Sequence, residues 1–165
     1  MKTNKKITLR KICKSDATVF YKMATSSPDI QKYIPGIVAS NTAENYENVK
    51  RWAGFDHKTK YAFIICIGKE PAGFILATQD PLLYNALNVD CFCSSTHRHK
   101  KIAYEGMNKF IEICKHDKFY NNLILEIKAN NIAAIKHAEK LGAIYFENVN
   151  YGGIAVFRRY KIPLR

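Results

Sequence analysis

The sequence predicts an α/β domain built on one mixed β-sheet with helices on both faces. Three strand-like runs follow one another between residues 61 and 93, and such a meander implies antiparallel pairing. Beyond it, strand-like and helix-like segments alternate, and a strand–helix–strand order implies a parallel pair. We therefore expect a mostly antiparallel sheet of six to seven strands that contains one parallel pair.

The length and composition are those of a single globular domain spanning residues 1–165. A chain of this size can bury a self-sufficient core, and its hydrophobic and charged fractions, 47% and 24%, are ordinary. No apolar run approaches the roughly 20 residues of a membrane helix, and the charged N-terminus lacks the apolar run of a signal peptide. We expect a soluble, cytoplasmic protein without a membrane partner.

The chain is strongly basic, with a net charge of +12 and a sequence pI near 9.5. Such a charge attracts polyanions, whether nucleic acid, acidic membrane or a phosphorylated cofactor, and does not choose among them. The lysines are scattered and form no basic tail, so the charge alone is weak support for nucleic-acid binding. The five cysteines are odd in number and several lie in apolar surroundings, which favours free thiols in a reducing compartment.

The first part of the chain predicts a strand followed by two helices. Ile7 and Leu9 alternate with polar neighbours, as in a short strand. Ser15 or Asp16 can cap a first helix, and Pro28 and the Ile34-Pro35-Gly36 turn are expected to end that helical region.

A second helix is expected to open at Asn41, since Asn41 followed by Glu44 resembles a capping box. Three strands follow it. Residues 61–67 form a near-continuous apolar run, typical of a strand covered on both faces, and residues 72–78 are predicted to be its hairpin partner. Residues 87–93 predict the next strand.

The second half predicts a helix, a strand, a helix and a final strand pair. Apolar residues between 103 and 114 recur at helical spacing, which indicates a helix that starts near Lys101. Alternating apolar residues predict a strand over 123–127. The next helix is expected to begin at Asn131 and to stop at Gly142, a good C-cap residue. The last two strands are predicted at residues 143–147 and 154–160.

A basic turn precedes the helix that starts near Lys101. It reads Arg98-His99-Lys100-Lys101-Ile102-Ala103. The first N–H groups of a helix lack partners within it, and the helix dipole is positive there, so this turn is suited to bind phosphates. The side chains of Arg98, Lys100 and Lys101 can add charge-assisted contacts. The alternative is a solvated basic turn without a ligand.

Two segments of the chain are similar to one family. The turn from Arg98 to Ala103 resembles the acyl-CoA motif Arg/Gln-x-x-Gly-x-Gly/Ala. The segment from Asn131 to Gly142 resembles the pattern Asn-x-x-Ser/Ala followed by Glu-Lys-Leu-Gly. On these motifs the chain resembles the GNAT (Gcn5-related) N-acetyltransferases, and most closely their RimJ/RimL-like branch, which acetylates the N-termini of ribosomal proteins.

The resemblance implies the GNAT fold, in which the fourth and fifth strands form a parallel pair that splays apart. It implies acetyl-CoA as co-substrate, no metal, and an amine acceptor that is a protein N-terminus or a small molecule. Pantetheine would lie between the splayed strands, where Asn131 binds it or orders the turn. A strand N–H near Phe92 or Cys93 would polarise the acetyl carbonyl. The residues implied for the pyrophosphate are Arg98, His99, Lys100, Lys101, Ile102 and Ala103. We also allow for a homodimer.

Proton transfer is expected to involve a carboxylate and a tyrosine. Asp90 and Glu126 are predicted on the strands beside the thioester, so either could take a proton from the amine. The alternative for each is a surface carboxylate or a member of an ion pair. Tyr145, Tyr84 or Tyr151 could supply the acid, although packing or surface exposure is the favoured explanation for each tyrosine.

The chain departs from the family pattern at three positions. Lys101 stands where the motif has its central Gly, Ala138 where many members have a Tyr, and Ala134 where the branch often has a Ser. These departures support a second hypothesis, a catalytically weak or inactive acyl-CoA-binding module. A third hypothesis is a basic nucleic-acid-binding protein in which the Arg98 turn contacts backbone phosphates. His137 is expected at an outer helix position.

A zinc site is not expected, although Cys91, Cys93, His97 and His99 have side chains of the ligand type. Their spacing matches no common zinc module, and both histidines fall in the proposed phosphate loop. Small apolar strand residues explain the two cysteines adequately.

Overall fold

The computed structural model describes residues 5–98, 101–153 and 155–165. Seven strands and five α-helices follow one another in the order that the motifs predict, with one additional helix. Their bounds are β1 (Ile7–Lys11), α1 (Ala17–Ala24), α2 (Pro28–Tyr33), α3 (Thr42–Ala53), β2 (Tyr61–Ile67), β3 (Glu70–Gln79), β4 (Ala86–Cys93), α4 (Ile102–Asp117), β5 (Asn122–Lys128), α5 (Ile132–Lys140), β6 (Ile144–Asn150) and β7 (Val156–Pro163).

All seven strands form one sheet in the order β1-β2-β3-β4-β5-β7-β6. Every neighbouring pair is antiparallel except β4 and β5, which are parallel. The crossover between these two strands is α4, as expected for a parallel connection. The predicted mixed sheet with a parallel pair at strands four and five is therefore confirmed.

Two apolar cores cover the two faces of the sheet. On one face, α4 and α5 pack through Met107, Phe110 and Ile135. Gly106 lets α4 lie close to the sheet, because a Cβ atom there would come within 2.9 Å of the Ile65 side chain. The opposite face is covered by α1, α2 and α3, whose contact with the sheet is largely aromatic. Its rings are Phe20, Trp52, Phe74 and Phe92.

The prediction of two helices before the meander was wrong, because Pro28 begins a helix instead of ending one. Pro28 is the first residue of α2, where its missing N–H costs nothing. Ser27 is the N-cap, and its side chain accepts a hydrogen bond from the Asp29 N–H at 3.3 Å. The added helix α2 matters for function, since its C-terminal residue Tyr33 reaches the opening described below.

The other boundaries differ by a few residues from those predicted. The third helix begins at Thr42 with Asn41 as its cap, and the Glu44 N–H donates to the Asn41 side chain at 2.8 Å. The last strand begins at Val156, two residues later than expected; Ile154 lies outside the described residues. Within the described ranges, each helix is too short or too polar to cross a bilayer.

Candidate active site

The parallel pair β4–β5 opens along its length. Pairing runs from Ala86 opposite Asn122 to Asn88 opposite Ile124 and stops there. Both strands nevertheless continue, β4 to Cys93 and β5 beyond its last paired residue. The sheet thus contains a V-shaped gap whose closed end lies just beyond Asn88.

The backbone N–H and C=O groups of two cysteines on β4 face this gap. The Ser94 N–H donates to the Ala72 carbonyl at 2.9 Å, which places the even-numbered residues of β4 in the hydrogen-bonded ladder with β3. Alternation then points the N–H and C=O groups of Cys91 and Cys93 away from β3, into the gap. The same alternation directs the Phe92 N–H to β3, so of the two predicted donor positions, Phe92 and Cys93, the one whose N–H faces the gap is Cys93.

On β5 the odd-numbered residues bond to the outer neighbouring strand, β7, so the even-numbered residues face the gap. The Leu164 N–H donates to the Asn121 carbonyl at 2.9 Å, which places the odd-numbered residues of β5 in the ladder with β7. The backbone groups of Glu126 therefore face the gap. An extended ligand between β4 and β5 would meet strand-like donors and acceptors on both sides.

Two neighbouring cavities, which share six lining residues, occupy the gap. The outer one is a groove of about 700 Å³ between α2, α4 and α5. The inner one, of about 80 Å³, lies at the closed end between Val89, Leu125 and Ala138. The residues that line both cavities mark the passage between them: Tyr33, Ile34, Cys91, Asn131, Ala134 and His137.

The residue that replaces the motif's central glycine has a left-handed backbone. Lys101 is the N-cap of α4 and is left-handed, with φ 59° and ψ 12°. The helix therefore starts at Ile102, one residue later than expected, and Lys101 adopts a conformation that glycine takes readily. The first helical hydrogen bond joins the Glu105 N–H to the Lys101 carbonyl at 2.9 Å, so the N–H groups of Ile102, Ala103 and Tyr104 have no partner within the helix.

Two side chains complete the mouth of the groove. The Lys101 side chain is exposed and does not fill the groove. Arg98 also lines it, and its Nη1 atom lies 3.2 Å from Oδ2 of Asp29 on α2. This contact holds the guanidinium beside the groove. His99 and Lys100, the other predicted phosphate ligands, lie outside the described residues.

Asn131 orders the turn that leads from β5 into α5. Its Oδ1 atom accepts a hydrogen bond from the Ala134 N–H at 3.3 Å, which caps the helix. Asn131 lines both cavities and therefore lies at the passage between them. The structure brings Asn131 together with Cys93 and Ala103 around one groove, as the motifs indicate.

Two carboxylates line the inner cavity, and they differ in environment. Glu126 accepts hydrogen bonds at Oε2 from the Tyr151 hydroxyl at 3.1 Å and from Asn88 Nδ2 at 3.4 Å. Asp90 makes no hydrogen bond to any other described side chain. Burial, and then the charge of Glu126, raise the pKa of Asp90 to about 6. Burial also raises the pKa of Glu126.

A buried arginine next to Glu126 escaped the sequence analysis. Arg159 of β7 is completely buried, and its Nη2 atom lies 2.5 Å from Asp80 Oδ2. Its Nη1 atom lies 2.6 Å from Glu147 Oε1, and its Nε atom 3.4 Å from Glu126 Oε2. One signal was present in the chain: Arg158 and Arg159 are adjacent on a predicted strand, so alternation turns one of them inwards.

Tyr145 is not brought to the gap. It lies on the edge strand β6, where its hydroxyl bonds to Asn148 Oδ1 at 3.1 Å, and it lines neither cavity. Tyr84 is 85% exposed, and it too lies outside both cavities. Of the three candidate tyrosines, only Tyr151 contacts a residue of the inner cavity, through Glu126, and burial and that bond raise its pKa to about 12.

Comparisons with known proteins define the class. The family model described as "Acetyltransferase (GNAT) domain" matches residues 6–144. The protein is thus an acetyltransferase. The chain belongs to the GNAT family, as its motifs predicted. No curated protein matches the chain by sequence.

Solved structures share the fold at low sequence identity. The ribosomal L7/L12 alpha-N-protein acetyltransferase RimL, in complex with coenzyme A, has a TM-score of 0.83 at 12% identity, over 95% of this chain and 93% of that one. The aminoglycoside acetyltransferase AAC(6')-Ib with coenzyme A has a TM-score of 0.80 at 14% identity, over 96% and 95%. A GNAT acetyltransferase from Bacillus anthracis has a TM-score of 0.81 at 16% identity, over 98% and 97%.

Proposed function

We propose that the protein transfers an acetyl group from acetyl-CoA to an amine by direct attack on the thioester. One observation carries this proposal. The gap between β4 and β5 runs from the N-terminus of α4 at Ile102 to a carboxylate, Asp90, at its closed end. A long ligand with phosphates at one end and a reactive thioester at the other matches that arrangement.

The phosphates are proposed to bind at the mouth of the groove. The N–H groups of Ile102, Ala103 and Tyr104 supply donors, and Arg98 and Lys101 supply positive charge. His99 and Lys100 remain proposed ligands from the motif. Pantetheine then crosses the passage at Asn131 and lies along the gap-facing backbone of Cys93.

The thioester is proposed to lie at the inner cavity. Cys91 lines that cavity and Cys93 does not, so the Cys91 N–H is the better donor to the acetyl carbonyl. This donor lies two residues closer to the closed end of the gap than Cys93, one of the two positions expected from the resemblance. No cysteine acts as nucleophile. Burial raises the pKa of the Cys91 thiol far above its ordinary value and that of Cys93 to about 11, which leaves both protonated.

Asp90 is proposed as the general base. The acceptor amine attacks the carbonyl carbon, its nitrogen forms the new C–N bond and loses a proton to Asp90, and the C–S bond breaks to release the CoA thiolate. A carboxylate with a pKa near 6 is ionised at neutral pH and still basic enough to help. Glu126 is already bonded to Tyr151 and Asn88, so we assign it the role of holding the ammonium form of the acceptor nearby.

The acceptor is proposed to be an amine of a protein N-terminus or of a small molecule. The fold neighbours include enzymes named for both kinds of acceptor. The lining of the inner cavity favours an acceptor amine that is positively charged in solution. Asp90 and Glu126 make this cavity locally acidic, although the chain as a whole has a net charge of +12.

The second candidate is an acyl-CoA-binding module without catalysis, which Ala138 and Ala134 favour. The test is calorimetry with CoA and acetyl-CoA, followed by a thiol-release assay with a panel of small amines and N-terminal peptides. Micromolar CoA binding with amine-dependent thiol release is the expected result. No CoA binding at hundreds of micromolar contradicts the proposal. Binding without thiol release across the panel supports the non-catalytic module instead.

A further inference from the structure

His137 occupies a place that its position in the sequence did not indicate. It was expected on the outer side of α5, but its half-buried side chain lines both the groove and the inner cavity. It therefore lies at the passage between the groove and the cavity that Asp90 lines. The Tyr104 ring of α4 lies edge-on to the imidazole, with ring centroids 6.3 Å apart.

The Nε2 atom of His137 is buried and lacks a hydrogen-bond partner among the described residues. A buried polar atom without a partner is costly, and such atoms in native structures call for an explanation. Nε2 has almost no accessible surface in the ligand-free structure, so a ligand in the passage can become its partner only if the imidazole turns towards the cavities that His137 borders.

The rest of α5 offers the passage little polarity. The helix presents Ala134, Ala138 and Leu141 to the inner cavity, all without polar side-chain atoms. The side-chain oxygen of Asn131 already accepts the hydrogen bond that caps the helix. The two positions where the family pattern often has a hydroxyl are both alanine here, and His137 places a ring nitrogen beside the same space.

The imidazole is suited to an amide and not to a phosphate. Burial, and then the charge of Lys140, lower the pKa of His137, so the ring is neutral at physiological pH. A neutral imidazole has one donor and one acceptor nitrogen. A secondary amide can satisfy Nε2 in either tautomer, because it carries both an N–H and a C=O group. Lys140 itself lies over the Tyr104 ring, 4.7 Å from its centroid.

We infer that His137 is a positioning residue for the acyl donor, whose Nε2 atom hydrogen-bonds an amide of the pantetheine arm in the passage between the two cavities. This inference rests on the proposed function, since it takes the donor to be a CoA thioester. It assigns to His137 a contact that the motif does not contain. Ala134 and Ala138 leave the space for it.

The test compares two ligands in calorimetry: CoA, and the adenosine bisphosphate part of CoA, which lacks the arm. We expect His137→Ala to raise the Kd for CoA about three- to tenfold, the worth of one hydrogen bond, and to leave the Kd for the adenosine bisphosphate unchanged. His137→Gln, which keeps a donor and an acceptor, should restore part of the affinity. Lys136→Ala is the matched control, because Lys136 is an exposed neighbour that lines neither cavity.

A second measurement separates this role from a structural one. His137→Gln keeps most of the side-chain volume, so its melting temperature should stay close to that of the wild type, whereas a purely structural role predicts a clear decrease. Equal CoA affinities of the wild type and His137→Ala overturn the inference and leave the proposed function intact. Equal losses for both ligands also overturn it, because they indicate general distortion. Failure of the wild type to bind CoA contradicts the proposed function itself.

Discussion

Asp90 and Glu126 lie level with each other across the gap, each two residues beyond the last paired residues of its strand. Glu126 is held by Tyr151 and Asn88, whereas Asp90 has no such partner in the described structure. The charge of Glu126 adds to burial in raising the pKa of Asp90 to about 6. Two neighbouring carboxylates in different surroundings can thus divide the work, one as base and one as fixed charge.

The activity of the wild type should depend on the ionisation of Asp90. With an acceptor that does not itself titrate in this range, kcat/KM should rise with pH and reach half its maximum near pH 6. Asp90→Asn should lower kcat/KM by about a hundredfold or more and remove that pH dependence. Glu126→Gln should shift the midpoint to lower pH, since it removes a charge that raises the pKa of Asp90. An unchanged profile in Asp90→Asn would exclude Asp90 as the base.

Asp90→Asn should be more stable than the wild type at neutral pH. The folded-state pKa of Asp90 is raised from 3.8 to about 6, so the folded protein binds this proton more tightly than the unfolded chain does. Stability from this group is therefore highest below about pH 4, falls as the pH rises to about 6, and stays low above. Asp90→Asn should raise the free energy of unfolding at pH 7 to 8 by about 1 to 3 kcal/mol. Urea unfolding at pH 4 and pH 7.5 tests this, since the gain should vanish at pH 4.

The buried guanidinium of Arg159 should contribute strongly to the stability of the folded protein. Arg159→Met would leave Asp80, which is 2% exposed, without its counter-charge. We expect a loss of about 3 to 5 kcal/mol in the free energy of unfolding, measured by urea titration. Arg158→Met is the control, because the neighbouring arginine is exposed. Adding Asp80→Asn to Arg159→Met should recover part of the loss; a single variant as stable as the control would refute this account.

The parts of the site that could be predicted from sequence are those written in short stretches of chain. The parallel pair follows from the strand and helix order, whereas its opening was expected only from the family resemblance. The Asn131 cap follows from a residue three positions before its partner. The ladder parity that selects Cys91 over Phe92 depends on pairing with β3, which no local pattern reveals. The position of His137 was missed for a similar reason, because only the packing of α5 on α4 turns its side chain inwards.

Contacts between distant parts of the chain were equally hidden. Arg159 meets Asp80 across 79 positions, and only the folded sheet brings the two together. The alternation of strand residues could say that one of the two adjacent arginines turns inwards, but not which carboxylates it would meet. Helix α2 was missed because Pro28 is equally suited to stop one helix and to start another.

Arg98 should contribute to donor binding through its charge. Its guanidinium borders the groove and is one-third exposed, so its contact with a phosphate should be screened by salt. Arg98→Ala is expected to raise the Kd for CoA about tenfold at low ionic strength, and less at high salt. Asp29→Ala removes the carboxylate that holds Arg98 and should have a smaller effect. A salt-independent change in Arg98→Ala would point to a structural role instead.

The left-handed backbone of Lys101 should be a cost that glycine relieves. At φ 59° a side chain is strained, and the relief in Lys101→Gly is expected to exceed the entropy that glycine adds to the unfolded chain, for a net gain of up to about 1 kcal/mol. Lys101→Ala is the matched control, because it removes the same charge and keeps the strain. Lys101→Val should be the least stable of the three, since a β-branched residue tolerates positive φ poorly.

Lys101→Gly and Lys101→Ala together also test the proposed phosphate site. Both lack the Lys101 charge, so any difference in their Kd for CoA comes from the backbone of the turn. We expect Lys101→Gly to bind CoA more tightly than Lys101→Ala, because the left-handed residue sets the direction of the N–H groups that follow it at Ile102 and Ala103. Equal affinities, together with equal unfolding midpoints, would show that the turn keeps its shape without help from residue 101.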